Sequence, residues 1–214
     1  MYASIRSYAL GGTPIDEFAA LVQASFADLI AAQPGFVWYA FLDGGDGTAM
    51  TISVFSEPEQ AAASRELARR WTQERRAALD VTMTEACSGT IPVSRALPEL
   101  LEAAPARFAR VRRYGLGGAD LGEVVWRVVD TRLAERISAL DGFVAYFVLG
   151  LGDGELVSVS VFRDRDAALA SDAVATAFVG EQLVTLGVKR TDAIGGGTIV
   201  VTRVTDKLLE PIHA

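Results

Sequence analysis

The sequence predicts an α+β fold: two ferredoxin-like βαββαβ repeats packed sheet to sheet within one chain. Three observations predict it. The chain repeats itself along its length. Each copy carries the same order of strand and helix signals. The strands are apolar on both faces, so each sheet needs a cover on both sides.

The repeat is direct. Residues 30–64 read IAAQPGFVWYAFLDGGDGTAMTISVFSEPEQAAAS, and residues 137–171 read ISALDGFVAYFVLGLGDGELVSVSVFRDRDAALAS. Aligned without gaps at an offset of 107, 16 of these 35 positions are identical. SIRSYALGG at 4–12 matches RVRRYGLGG at 110–118, and Gly89-Thr90-Ile91 matches Gly197-Thr198-Ile199. Self-similarity over the whole period means one structural unit made twice. The units are placed at 1–94 and 108–214. Between them, RALPELLEAAPAR at 95–107 holds Pro98 and Pro105 around a short helix-like run and reads as a tether.

Each unit opens with a strand, at about 3–10 and 109–116. A helix follows at about 14–32, opened by Thr13-Pro14, with Asp16 and Glu17 near its positive end. Ile15, Phe18, Val22, Phe26 and Leu29 recur at helical spacing. In the second unit Asp120 and Glu123 form a capping box ahead of Leu121, Val125, Val128, Leu133 and Ile137. Two strands come next, residues 36–42 and 49–55, joined through Gly45-Asp46-Gly47. The second unit repeats them at 143–149 and 156–162 around Gly152-Asp153-Gly154. Asp-Gly between apolar runs signals a hairpin, because such turns need positive φ. A second helix starts at Ser56-x-x-Glu59 with Pro58, and at Asp164 in the other unit. A closing strand lies at about 85–93 and 192–204. This order is the split βαβ arrangement.

A sheet with helices on one face and water on the other alternates apolar and polar residues. Here Phe36, Trp38, Ala40 and Leu42 share one face, and Val37, Tyr39 and Phe41 the other. The second unit sets Phe143, Ala145, Phe147 and Leu149 against Val144, Tyr146 and Val148. Helices cover one face, and the sibling unit is the simplest cover for the second.

Composition excludes several functions. Half of the 214 residues are hydrophobic and the mean hydropathy is +0.27, ample for a packed core. The net charge is −7 and the isoelectric point about 4.8, so neither nucleic acid nor an anionic membrane is the expected partner. No apolar run approaches the ~20 residues of a membrane span, and MYASIRSYALGG lacks the pattern of a signal peptide. Cys87 is the sole cysteine, which excludes an internal disulfide and fits a cytoplasmic protein; it reads as a small buried strand residue. No His/Cys cluster has metal-ligand spacing. Asp43, Asp46 and Asp153 serve hairpin turns. Gly11-Gly12, Gly117-Gly118 and Gly195-Gly196-Gly197 match no phosphate loop and read as turns or bulges. The single histidine, His213, allows no Ser/His/Asp set and reads as a frayed-tail residue. Arg65, Arg69, Arg70, Arg75 and Arg76, interleaved with Glu66 and Glu74, read as a solvated helix face.

The segments PGFVWYAFLDGGDGTAMTISVFSEPEQAAAS and DGFVAYFVLGLGDGELVSVSVFRDRDAALAS resemble antibiotic-biosynthesis-monooxygenase (ABM) domains of the dimeric α+β barrel superfamily. The shared pattern is Gly-Phe before strand two, Ser-Val-Phe ending strand three, an acidic capped turn and an Ala-rich helix. It covers nearly the whole chain and implies an intrachain dimeric α+β barrel. Oxygenases, haem enzymes, isomerases and proteins of unknown role share that fold, so it does not name a reaction. Haem enzymes of this type take an iron-ligating histidine from the second-helix region, and neither second helix here has one. Phe55 and Phe162 stand where the haem-degrading relatives carry tryptophan. No cofactor is therefore expected.

The resemblance implies a small-ligand-binding protein. A cofactor-independent monooxygenase acting on an electron-rich aromatic molecule is the alternative, and a structural module without a pocket the third reading. Oxygenation of that kind needs an apolar pocket, a proton acceptor or stabiliser, and a donor for an enolate or phenolate. The candidate ligand-binding residues are Arg6, Tyr8, Trp38, Tyr39, Trp71, Arg112, Tyr114 and Tyr146. Arg6 and Tyr8 share a strand face, Arg112 and Tyr114 repeat them, and Tyr39 and Tyr146 are equivalent. The competing reading makes the aromatics core or interface residues with satisfied polar tips, and the arginines ion-pair partners. The expected partner is a small apolar or aromatic ligand. A further homo-oligomer is a second possible partner, through strand edges left open.

Overall fold

The computed structural model describes residues 1–75, 77, 79–102, 106–116, 122–152 and 154–214, and only the backbone of 190–194. Arg76, Pro105, Gly117-Gly118, Asp120, Leu121 and Asp153, named above, lie outside the described residues. The first half runs β1 (Tyr2–Leu10), α1 (Ile15–Ser25), α2 (Ala27–Ala31), β2 (Phe36–Gly45), β3 (Thr48–Phe55), α3 (Pro58–Glu74) and β4 (Val81–Ala96). A 3-10 turn, Pro98–Leu101, leads to the second half. That half runs β5 (Phe108–Leu116), α4 (Gly122–Val128), a π-helical turn at Val129–Leu133, α5 (Ala134–Ser138), β6 (Phe143–Gly152) and β7 (Glu155–Phe162). It continues with α6 (Arg165–Phe178), a second π-helical turn at Val179–Leu183 and β8 (Val188–Val204).

Within each half all strand pairs are antiparallel, with β1 between β3 and β4, and β5 between β7 and β8. The halves are also stitched edge to edge. β2 pairs with β8 and β4 with β6, closing eight strands into one antiparallel barrel. The long closing strands make this possible. β4 pairs with β1 from Val81 to Thr90 and with β6 from Thr90 to Ala96. It therefore runs past residue 94, where a tether was expected to begin. A closed barrel offers no free edge, so the expected route to self-association through open strands has no template here.

Both faces of every sheet are covered. Ala3, Ile5, Trp38, Ala40, Leu42, Ala109, Val111, Phe147 and Val159 fill the barrel interior together with residues from all eight strands. Trp38 meets Phe147 edge-on across the two halves at 5.7 Å. Outside, α1 to α3 cover one stretch of the wall and α4 to α6 another. One detail of the face assignment is corrected. Bulges at Phe36/Trp38 and Phe143/Ala145 each insert an extra residue, which reverses the alternation. Phe36 and Phe143 therefore join the helix-side cores, and Val37 and Val144 join the barrel interior.

Local chemistry sets the ends of the elements. The hairpin after β2 takes positive φ at Gly45, Asp46 and Gly47, as its Gly-Asp-Gly sequence predicts. The first helix is broken at Phe26 into α1 and α2 rather than running unbroken to 32, and α1 starts after Pro14 without a side-chain cap. Asp164 caps α6, accepting a hydrogen bond from the Ala167 amide at 2.8 Å. The cap of α3 sits one residue later than expected: Glu57 and Gln60 form the reciprocal box, not Ser56 and Glu59. His213 is not frayed. Ile212 bridges to Ser94 on β4, and the His213 Nδ1 lies 3.1 Å from Arg95 and 3.4 Å from the buried Asp130.

Candidate functional site

A cavity of about 580 Å³ lies in the first half, between the outer face of its sheet and helices α1 and α3. That is the usual scale of a small-molecule site. Its wall is mostly apolar and carries six aromatic rings, those of Tyr8, Phe18, Phe26, Tyr39, Phe41 and Trp71. Phe18 meets Phe41 at 5.0 Å, Phe26 meets Tyr39 at 5.5 Å and Trp71 at 5.1 Å, and Tyr8 meets Phe18 at 6.4 Å. Trp71 is held in place by its indole N–H, which donates to Ser25 Oγ at 3.2 Å, and by the Arg75 guanidinium over its ring at 4.8 Å. Strand alternation aims Arg6 and Tyr8 of β1, Tyr39 and Phe41 of β2 and Thr51 of β3 at the cavity. Arg65, Ala68, Arg69 and Thr72 enter from α3.

Its polar groups form an uncommon set. Arg6 is 91% buried, from its 9% exposure, and its Nη2 has no hydrogen-bond partner. The Thr51 Oγ1 beside it, and Ser4 Oγ and Ser53 Oγ on the same strand faces, are also buried and unpartnered. Burial foremost, with Tyr8 adding, pushes the Tyr39 phenol far above its usual range, though Arg6 works against this. Tyr39 therefore stays protonated at physiological pH and acts as a donor, not a base. Among the described residues, no carboxylate and no histidine lines the cavity.

In the second half the equivalent arginine is paired within the chain. Arg112, equivalent to Arg6, is fully buried. Its Nε donates to Asp172 at 2.6 Å, its Nη1 to Ser160 at 2.9 Å and its Nη2 to Ser171. Arg110 grips the other Asp172 oxygen at 2.9 Å. Burial works upward on the Asp172 carboxyl, but the two guanidinia outweigh it and hold it below the usual range. Tyr114 and Tyr146 are buried, and Tyr146 is likewise held protonated by burial.

The eight candidate residues thus fall in three places. Arg6, Tyr8, Tyr39 and Trp71 meet at the cavity, whereas Trp38 sits inside the barrel with its indole N–H on Thr202 Oγ1. Arg112, Tyr114 and Tyr146 belong to the second half, away from the cavity. On α3, Arg65, Arg69 and Arg70 are exposed, as a solvated face requires, and Arg65 and Arg69 also border the mouth of the cavity, with Arg69 paired to Glu66 at 2.6 Å. Arg65 was therefore missed as a site residue. The repeat held the signal, since Arg65 aligns with Asp172, a reversal of charge directly after the matched block. Cys87 is partly buried against the barrel core, where burial chiefly raises its thiol pKa. His213 does not line the cavity, so its residues do not fit an iron-ligating histidine. No helix among the described residues is long and apolar enough to cross a membrane.

No family model matches the chain, and no curated protein matches it in sequence. Solved structures share its fold. A candidate monooxygenase from Fusobacterium nucleatum superposes with a TM-score of 0.68 over 95% of this chain and 94% of that one, at 9% identity. A second, from Lactobacillus acidophilus NCFM, gives 0.67 over 100% and 98%, at 12% identity. An anthrone oxidase-like protein gives 0.57 over 94% and 92%, at 14% identity. Identities this low establish a common α+β architecture with a large antiparallel sheet, not a common reaction.

Proposed function

We propose that this chain is a tandem pair of ABM-like ferredoxin-like units, residues 1–94 and 108–214 joined by 95–107, closed on itself as a pseudo-dimer. The first unit binds a small apolar or aromatic ligand. The carrying observation is the aromatic cavity between β1–β3 and α1/α3, which a structural module with a filled core would lack. The internal repeat, the strand order and the fold shared with monooxygenase-named proteins support the architecture.

Binding is tested with anthrone as probe, followed by quenching of Trp71, the one tryptophan on the cavity wall. Wild type should bind one equivalent, and Ala68→Trp, which fills the cavity from α3, should lose binding. Equal binding by the filled variant would remove the site from this cavity.

A second reading is cofactor-free oxygenation, favoured by the convergence of the Tyr39 phenol and the Arg6 cation on one apolar space. Both groups suit an enolate or phenolate oxygen. The wall offers no base, so the proton would leave to water from an already acidic substrate. A ring CH2 and O2 would become C=O and H2O. Oxygen uptake with anthrone, one O2 per ketone formed, separates this reading from binding alone.

A further inference from the structure

We propose that the cavity takes a ring-bearing carboxylate, its negative group bridging Arg6 and Arg65 where Asp172 stands in the second half. This rests on the ligand-binding reading and adds the ligand's charge and shape. The two halves serve as each other's control. On β5, Arg112 is surrounded by Ser160, Ser171 and Asp172. In the first half the aligned positions are Arg6, Ser53 and Ser64, but the position of Asp172 is taken by Arg65. The acid is absent, and a second cation replaces it.

A buried guanidinium without a counter-charge is costly, because it loses hydration and gains nothing in return. The unpartnered Nη2 of Arg6 and the neighbouring Thr51 Oγ1 mark where an acceptor belongs. Among the described residues the wall holds three arginines and no acid; Glu66 occupies Arg69, while the exposed Arg65, at the cavity's edge, reaches the Ser88 hydroxyl at 3.3 Å. Arg6 and Arg65 are left to share an outside anion. A carboxylate is the group of choice, since Asp172 bridges two guanidinia through one oxygen each. Phe18, Phe26, Tyr39 and Trp71 require flat rings for the rest of the molecule.

The test titrates the full chain with benzoate, 2-naphthoate and anthracene-2-carboxylate, each beside its neutral amide. Wild type should prefer the best-fitting acid over its amide by about 10- to 100-fold, the value of a charged hydrogen-bond pair. Arg65→Asp installs the internal acid of the second half. It should abolish the preference, hold amide affinity within about threefold and melt no lower than wild type. Arg65→Gln, which cannot mispair, should lose about tenfold of acid affinity. Equal binding of acid and amide by wild type overturns the charge assignment and leaves the cavity reading standing. An acid preference that survives in both variants overturns the bridging position. No binding by either series overturns the cavity reading together with this proposal.

Discussion

Arg6 and Arg112 show how one residue type takes two roles from its neighbours alone. They sit at equivalent strand positions under equivalent helices, α3 and α6, yet among the described residues only Arg112 has its charge met within the chain. Asp172→Asn should destabilise the protein by about 3 kcal/mol, the low end for breaking a buried pair, because the Asp172 carboxyl keeps 23% exposure. Denaturant unfolding measures this. The pH dependence has a definite sign. The Asp172 carboxyl titrates lower in the folded than in the unfolded chain, so its contribution is complete above the ordinary aspartate pKa of about 4. It is lost as pH falls through the folded value. The Asn variant should lack that segment of acid sensitivity. Arg6, Tyr8, Tyr39 and Trp71 were all legible as candidates from residue type and strand spacing. Arg65 was not, because on a helical wheel it is one more arginine among exposed ones.

At the level of elements, the α3 start shows why a motif alone misplaces a cap. Ser56-x-x-Glu59 fits the capping pattern, but the chain enters the helix after Glu57, whose side chain meets the Gln60 amide while Gln60 answers the Glu57 amide. Gly35 explains the choice. It holds φ of +69° directly beneath Gln60, and a Cβ there would lie 1.7 Å from Gln60 Oε1. The hairpin entry and the helix entry are therefore packed as one corner. Glu57→Ala should cost about 1 kcal/mol, and Ser56→Ala should stay within about 0.5 kcal/mol. Thermal melts of the two variants check the order. The bulges at Phe36/Trp38 and Phe143/Ala145 have the same origin: they re-aim whole strand faces, and no alternation count in the sequence announces them.

At the scale of the whole molecule, the two halves are held by strand pairing as well as by a shared core. The seams come close at two equivalent glycines. A Cβ on Gly89 would lie 2.0 Å from the Gly150 carbonyl oxygen, and one on Gly197 would lie 2.1 Å from that of Asp43. Backbone, not a movable side chain, would have to yield. Gly89→Ala and Gly197→Ala should each destabilise by about 1–3 kcal/mol. In hydrogen exchange, the β4–β6 and β2–β8 amides should lose protection before those inside either half. Equal loss throughout would mean the seams are not where the halves part.

By itself the sequence determined the doubling of the unit, the order of strands and helices within it, and the need to cover both faces of each sheet. These follow from local periodicity and from apolar residues that water will not accommodate. Only the tertiary structure decided that the closing strands cross between halves, that Trp38 faces the barrel interior, and that Arg6 lines a cavity while the equivalent Arg112 is paired to Asp172. Those outcomes depend on which groups meet across long stretches of chain, and a charge has no partner or counter-charge until folding brings one within reach.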